Sequence, residues 1–516
     1  MFTIEELESR KKARLKFLYG IEDGAETSNS LEKAEPVRQS HHQPVSESEN
    51  ERWKSIWSLV SQISVPGVIL AADKTSPSNS HLQVLTNFIR GNIGVGVLSM
   101  CHAFKQAGII TGAITILFYG FLNGYCCNVI LTSYDKLVQG NRKIGLGKLA
   151  KIAFEKSKLK FLNRFGKVME LLINFFILLT QIGTISVLLL FISRTIHIQT
   201  EIYFHEYFNV SSSHFIFISS ILLLPLIFLK SLKIMAILST LSNLVNMFCL
   251  IVIFQYLLRN IQPFENVTWF GDVHGFFILV GTALFSFHSV QLILPLRAGM
   301  KHPEDLGGFS GILGLGNTLI TVINISTGFF GYLATGEDAM VVIFNLPNTF
   351  LYDSVRILWA ICVYLCINIQ FYVIISILLP FIQRKMGKSY VWEFFLRLII
   401  FLLCFALAFF VPCLEQLIAL VGSIAAAFFC LCTPPLLAMV SQNISLNPND
   451  KKTLETIEEK EPLKYEDKDN NSKPFLLFGF IWNFCVIIFG FVVAFAGTFV
   501  AIEELSSVLE WRENCL

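Results

Sequence analysis

The residues best placed to do chemistry in this chain are three glycines in an apolar run. The stretch reads FIRGNIGVGVLSM, residues 88–100, and holds Gly91, Gly94 and Gly96 after Arg90. Glycine weakens a helix, and unpaired backbone groups persist at membrane depth only inside protein or around a water-filled cavity. Close helix packing through small residues is the alternative explanation. The spacing, which is not GxxxG, favours a helix that is broken here.

A second interruption occurs in LVGTALFSFHSVQLILP, where polar residues and a glycine crowd one apolar run. Two interrupted helices in matching positions of two halves indicate an inverted-repeat transporter. Half-helix N-termini present free N–H groups to a carboxylate. Carbonyls that are released from a helix can accept hydrogen bonds from an ammonium group. Because a zwitterionic amino acid carries both charges, we expect the two breaks to form one binding site.

The elements that must position these breaks are long apolar spans. The chain has 516 residues, is 53% hydrophobic and 15% charged, and has a mean hydropathy of +0.60, whereas soluble domains carry about 25% charge. About 20 apolar residues cross a bilayer. Eleven spans are predicted, at residues 84–106, 108–134, 168–193, 214–229, 234–258, 275–296, 311–335, 354–380, 394–412, 414–440 and 475–499.

The predicted fold class is an all-α polytopic membrane protein. Spans 1–5 and 6–10 would form a five-plus-five inverted repeat with broken helices 1 and 6, and an eleventh helix would follow. An odd number of spans in each half forces the two halves into opposite orientations. The predicted divisions are a cytosolic, mostly disordered segment at 1–80, repeats at 81–258 and 259–440, a cytosolic linker at 441–474, and the eleventh helix with an extracytoplasmic tail at 475–516.

The distribution of basic residues predicts the orientation. Residues 135–167, between spans 2 and 3, carry ten Lys and Arg residues, whereas residues 195–213 carry none. Because basic loops stay in the cytosol, the N-terminus is predicted to be cytosolic and the C-terminus extracytoplasmic. Acceptor sequons at Asn209 and Asn266 fall on predicted outer loops and predict N-glycosylation there.

Six stretches, in order over about residues 80–500, match one known family. They are GNIGVGVLSMCHAFKQAGI, TQIGTISVLLLF, GTALFSFHSVQLILPLRAGMKHP, GILGLGNTLITVINISTGFFGYLATG, INIQFYVIISILLP and LIALVGSIAAAFFCLCTPPLL. Through them the chain resembles the proton-coupled amino acid transporters of the amino acid/auxin permease group. The resemblance implies the eleven-span inverted-repeat fold and transport of small neutral amino acids driven by a proton gradient.

The resemblance also implies a set of substrate-binding residues. The substrate carboxylate would meet the backbone of the first break and the amino group that of the second, with side chains of spans 3 and 8 lining the pocket. The residues are Ile93, Gly94, Val95, Gly96, Thr180, Gln181, Gly281, Thr282, Ala283, Phe285, Gln370 and Tyr372.

Two departures from the family pattern bear on the coupling ion. The family commonly has a histidine four residues before GNIG, where this chain has Asn87, and a glutamate in span 6, where it has His288. Asn cannot titrate, whereas imidazole titrates near neutral pH. His288 is therefore the proton-coupling candidate, with core packing as its alternative. Arg90 is either a helix-end residue whose charge reaches the interface or a functional group.

The expected function is secondary active transport of small neutral amino acids by alternating access, with protons favoured as the coupling ion. Sodium-coupled or uncoupled transport, and an amino acid sensor with little flux, are the alternatives. No catalytic constellation and no metal-type Cys/His spacing outside the apolar runs is visible, so no enzyme activity, metal or cofactor is expected. The expected partners are the amino acid, the ion and the bilayer of a plasma, lysosomal or endosomal membrane, without nucleic acid.

Overall fold

A computed structural model describes most of the chain after residue 80. The described residues are 81–138, 144–157, 160–204, 212–228, 232–263, 267–287, 289–300, 302–308, 311–387, 390–411, 413–442 and 473–514. They belong to a compact unit that covers Ile56–Leu516, while a second unit, Met1–Ser55, lies outside them. The predicted segment at 1–80 and nearly all of the linker at 441–474 also lie outside the described residues.

The described residues form α-helices with short 3-10 and π segments, and they contain no β-strand. The α-helices are α1 His81–Asn92, α2 Val95–Leu98, α3 Met100–Ala107, α4 Ile109–Leu137, α5 Leu146–Glu155, α6 Lys160–Asn163, α7 Gly166–Phe204, α8 Ser212–Ile227, α9 Leu232–Arg259, α10 Val273–Ser286, α11 Ser289–Gly299, α12 Ile312–Thr335, α13 Phe350–Met386, α14 Tyr390–Phe410, α15 Leu414–Val421, α16 Thr433–Gln442, α17 Lys473–Val492 and α18 Thr498–Asn514. The 3-10 turns are Pro303–Leu306, Gly336–Asp338 and Val342–Asn345, and the π segments are Gly422–Ala426, Phe428–Cys432 and Val493–Gly497.

The helices have the length and apolar character of membrane spans. Within the described ranges, nine are long and apolar enough to cross a bilayer, and ten if the bent pair His81–Asn92 and Val95–Ala107 is one span. The apolar part of α8, His214–Ile227, is shorter. The predicted count of eleven is reached only if α8 also crosses, and it stays a prediction. Large apolar side chains on α4, among them Ile114, Leu117 and Phe121, are exposed, as expected of a surface that faces lipid.

The first predicted break is present. The chain bends by 56° between α1 and the helix that starts at Val95, and Gly94 has extended backbone angles. A Cβ atom at Gly96 would lie 2.7 Å from the Cα atom of Ser286 in α10. The absence of a side chain at Gly96 therefore lets the two interrupted helices touch.

The second interruption lies later than the sequence analysis placed it. Gly281, Thr282, Ala283 and Phe285, which we expected in an unwound segment, are all helical residues of α10. The helix ends at Ser286, Phe287 is not helical, and α11 begins at Ser289. The prediction of the position was wrong because Gly281 serves packing: a Cβ atom there would lie 2.6 Å from the carbonyl oxygen of Ala419.

The helices form two packed groups. In the first group, α12 packs on α1, α3 and α4, and α10 packs on α3. In the second group, α13 packs on α7 and α9, and α7 also contacts α8 and α14. The interrupted helices belong to the first group, and both groups contribute walls to the cavity described next. The relation between the two predicted five-helix repeats remains a prediction.

Candidate functional site

A cavity of about 340 Å³ lies at the break of the first span. Its walls come from α1, α2, α10 and α11 on one side and from α7, α9 and α13 on the other. It extends from the break to Ile144, Gly145 and Leu146, at the end of the loop between α4 and α5. The cavity therefore runs from the middle of the bundle toward the side of the molecule that carries the basic loop.

Hydrogen bonds hold the two interruptions together. Ser289 Oγ, the first residue of α11, donates to Asn92 Oδ1 over 2.9 Å, and Asn92 Nδ2 donates to the carbonyl oxygen of Phe88 over 2.8 Å. Ser286 Oγ, at the end of α10, donates to Asn324 Oδ1 of α12 over 2.7 Å. These side chains are buried. The bonds from Ser289 and Ser286 pair polar side chains with one another, and the bond from Asn92 reaches a backbone carbonyl at the end of α1, so that these buried polar groups are satisfied within the protein.

Amide side chains line the next part of the wall. Gln181 Nε2 of α7 donates to Gln291 Oε1 of α11 over 2.8 Å and so joins the two groups of helices. The other amide atom, Gln181 Oε1, is buried without a hydrogen-bond partner among the described residues, and so is Asn246 Oδ1 of α9. Since buried polar atoms are normally paired, the two unpaired oxygens are acceptors available to a ligand.

Another part of the cavity wall is largely apolar. It is formed by Leu188, Phe285, Trp359, Val363 and Phe429, and the indole Nε1 of Trp359 is buried there without a hydrogen-bond partner among the described residues. The ring of Trp359 is fully buried. An apolar wall of this kind suits an aliphatic side chain and excludes water from the break.

Seven of the twelve sequence-predicted residues line this one cavity. They are Ile93, Gly94, Val95, Gly96, Gln181, Phe285 and Gln370. They come from four spans and lie up to 277 positions apart in the chain (residues 93 and 370). Substrate binding by these residues stays a prediction, but the geometry brings them to one place.

The other five, Thr180, Gly281, Thr282, Ala283 and Tyr372, are not among the residues that line the cavity. The hydroxyls of Thr180 and Thr282 donate to the carbonyl oxygens of Phe176 and Ile278 within their own helices, over 2.8 and 2.9 Å. Because Tyr372 lies two positions after Gln370 on α13, the 3.6-residue helical period turns it about 200° away.

The proton-coupling candidate His288 and the glycosylation candidates Asn209 and Asn266 lie outside the described residues. Their assignments stay predictions.

Sequence reasoning missed several residues of the wall, notably Asn92, Asn174, Trp359 and Cys366. Asn92 lies inside the GNIG motif, where the neighbouring glycines give the stronger signal of a break. Trp359 carries no signal in the sequence that separates it from a lipid-facing aromatic residue.

A charged contact closes the bundle near the far end of α7. Arg194 Nη1 lies 3.1 and 3.0 Å from the two carboxylate oxygens of Glu415 on α15, and its guanidinium lies over the Phe344 ring at 5.0 Å. The same ring packs against buried Phe191, with ring centres 5.3 Å apart. A second cavity of about 740 Å³ lies beyond this layer, along Leu190–Ile202. The layer therefore separates the two cavities.

A multi-pass helical bundle with a ligand-sized cavity at a broken helix is typical of membrane transporters. Comparison with known proteins agrees. Residues 77–459 match the family model described as transmembrane amino acid transporter protein. The chain belongs to this family, whose members are transporters and not enzymes.

Two relatives show the extent of the similarity. The chain is 27% identical over 365 residues to the proton-coupled amino acid transporter-like protein pathetic of Drosophila melanogaster, covering 68% of this chain and 74% of the relative. It is 26% identical over 367 residues to the amino acid transporter AVT3C of Arabidopsis thaliana, covering 68% of this chain and 80% of that protein. The resemblance read from the sequence motifs is thereby confirmed at the level of the family.

Proposed function

We propose that the protein is a secondary active transporter of small neutral amino acids. The observation that carries the proposal is the cavity at the broken first span. Its volume of about 340 Å³ lies near the lower end of the range for small-ligand sites, about 300–1,000 Å³. The segment Val95–Ala107 begins at the cavity, and the first N–H groups of a helix have no intrahelical acceptor. They favour a carboxylate.

The remainder of the wall fits the other parts of such a substrate. The unpaired oxygens Gln181 Oε1 and Asn246 Oδ1 can accept hydrogen bonds from an ammonium group. The apolar part of the wall around Trp359 receives an aliphatic side chain. The described part of the wall contains no carboxylate, which disfavours a cationic side chain.

The two ends of the bundle support alternating access as the proposed mechanism. The cavity reaches the loop after α4, which the positive-inside rule assigns to the cytosol, while the Arg194–Glu415 pair and the Phe191–Phe344 contact close the opposite end. This arrangement corresponds to an inward-facing conformation with a cytosolic N-terminus. An outward-facing conformation would separate α7 from α15 at that contact.

Proton coupling is supported by the name of the Drosophila relative and by the imidazole of His288 in the sequence. Replacement of His288 by Ala should flatten the dependence of uptake on pH, because no titrating group would remain at that position. Uptake by the variant is measured between about pH 5 and pH 8, the interval in which an unperturbed imidazole changes charge. A profile identical to that of the wild type would return His288 to a packing role.

The proposal is tested by reconstitution in proteoliposomes with labelled glycine, alanine, serine and proline. An inward proton gradient should drive accumulation in sodium-free buffer, and a protonophore should abolish it. Accumulation that requires sodium would identify sodium, and not the proton, as the coupling ion. Saturable binding without accumulation under either gradient would contradict transport and favour a sensor.

A further inference from the structure

Arg90 is a buried cation for which the described part of the protein supplies no partner. Its relative exposure is 8%, and its Nη2 atom is buried without a hydrogen-bond partner. No ion pair to Arg90 is formed within the described ranges. The residue lies on α1, four positions before Gly94. Its side chain is enclosed by protein, and the interfacial position considered from the sequence stays an alternative.

Arg90 is also the one charged side chain among the described residues that line the cavity. An unpaired charge in a membrane protein is costly and marks a substrate or ion pathway. Other buried arginines of the chain show the contrast: Arg356 is paired with Asp353, and Arg397 with Glu393. The described structure pairs these two arginines and leaves Arg90 open toward the cavity.

The unpaired atoms around the cavity are complementary in sign. Arg90 Nη2 is a charged donor, whereas Gln181 Oε1 and Asn246 Oδ1 are acceptors. A guanidinium binds a carboxylate through two parallel N–H···O bonds, and amide oxygens accept from an ammonium group. Together they offer a zwitterion both of its partners without any backbone group of the break.

We infer that Arg90 forms a second carboxylate-binding position, which the substrate occupies between the helix break and the cytosolic mouth of the cavity. This inference rests on the proposed function. Arg90 lies four positions before Gly94, on the helix that ends at Asn92, so the carboxylate moves from the N–H groups at Gly94–Gly96, across the break, to the guanidinium. Substrates and inhibitors that enter from the cytosolic side should then bind more tightly when they carry a carboxylate than when they carry an amide in its place.

The test compares wild type with Arg90→Gln, Arg90→Lys and, as a matched control, Arg384→Gln, which alters an exposed arginine of α13 that does not line the cavity. Efflux of the best-transported amino acid of the panel is measured against competition, from the cytosolic side, by the same amino acid and by its α-amide. Loss of a charge-assisted hydrogen bond costs about tenfold or more in affinity.

Arg90→Gln should raise the KM for efflux about tenfold or more and leave inhibition by the amide unchanged, so that the preference for the carboxylate falls. Arg90→Lys should retain part of that preference, and Arg384→Gln should match wild type. An unchanged KM for Arg90→Gln, or equal losses for the amino acid and the amide, would overturn the inference. Failure of Arg90→Gln to fold would also overturn it, since an unpaired buried cation should not be needed for folding.

Replacement of chloride by gluconate separates a substrate carboxylate from an inorganic anion. Wild-type efflux should not change. A chloride requirement that disappears in Arg90→Gln would assign Arg90 to the inorganic anion and overturn the inference. If wild type transports no amino acid of the panel, the proposed function is contradicted. If wild type transports one and Arg90→Gln has an unchanged KM, only the inference of a second carboxylate-binding position is contradicted.

Discussion

At the scale of the residue, the glycines of GNIGVG have different tasks. Gly96 allows close contact, because a Cβ atom would lie 2.7 Å from the backbone of Ser286, whereas a Cβ atom at Gly94 would meet no atom within 4 Å. Gly94 also has φ −156° and ψ −159°, which any residue can adopt. The space beside Gly94 is therefore part of the cavity, and the space beside Gly96 is already filled.

Gly94→Ala should reduce uptake without loss of stability. The added methyl group strains neither the backbone nor a neighbour but occupies cavity volume beside the break; one methyl-sized group in a binding site changes affinity by about 10-fold or more. Uptake kinetics and the thermal midpoint are measured for Gly94→Ala and for the control Gly479→Ala, which also meets open space but lies on α17. Uptake by Gly94→Ala equal to that of wild type would contradict binding of the substrate beside Gly94.

Gly96→Ala should instead destabilise the protein. The Cβ atom would force α2 away from α10, and overpacking of this kind costs about 1–3 kcal/mol. The measurement is the thermal midpoint of the detergent-solubilised protein, compared with that of Gly94→Ala. Equal midpoints for the two variants would show that the α2–α10 contact yields easily.

The sequence predicted residues of the site where backbone chemistry decides and failed where helix rotation decides. Gly94 and Gly96 could be predicted as residues of the break because glycine weakens a helix. Thr282 was included because the resemblance placed it in the backbone of the second break, yet it is helical and its hydroxyl donates to the carbonyl oxygen of Ile278 one turn earlier. The face of a helix that meets a cavity depends on its neighbours, and an apolar span without a strong polar stripe does not reveal it.

At the scale of the element, the sequence predicted the position of the first break, whereas it predicted the second break several residues too early. The glycine at position 281 was taken as a sign of unwinding, but it permits contact with α15 and the π segment that follows: a Cβ atom at Gly422 would lie 1.9 Å from the carbonyl oxygen of Gly281. Glycine marks close packing as well as unwinding, and only the three-dimensional contact separates the two.

The contact between α7 and α15 is the element that closes the far end of the site. Arg194→Gln should favour an open far end, because it removes the charge that holds Glu415 and the Phe344 ring in place. The measurement is labelling of Leu188→Cys, in the apolar part of the cavity wall, by an impermeant maleimide added outside. If the substitution lowers the free energy of opening by about 1.4 kcal/mol, the open population and the labelling rate rise about tenfold.

Lys151→Gln is the control for that experiment, because it breaks a partly exposed pair with Glu170 that lies far along α7 from the closure, and surface pairs contribute about 0–1 kcal/mol. Its labelling rate should equal that of Leu188→Cys alone. An Arg194→Gln rate equal to the control would show that the aromatic layer closes the bundle without the charged pair.

At the scale of the whole molecule, the sequence predicts an all-helical membrane bundle well and its arrangement poorly. Long apolar runs define the helices because lipid leaves the backbone no other way to satisfy its hydrogen bonds. Which helices form each packed group, and toward which side the cavity extends, depends on contacts between residues hundreds of positions apart. The charge in the loops and the matching positions of the two interruptions are the long-range signals in the sequence, and the charge predicts the orientation.

The central claim is that an amino acid is bound, and moved, at the break of the first span. An electron cryo-microscopy structure of the full chain with the best-transported amino acid tests it most directly. The account predicts density in the cavity with the carboxylate within hydrogen-bonding distance of the N–H groups at Gly94–Gly96 or of the Arg90 guanidinium. Density only in the second cavity beside His197, with the break empty at saturating amino acid, would contradict it.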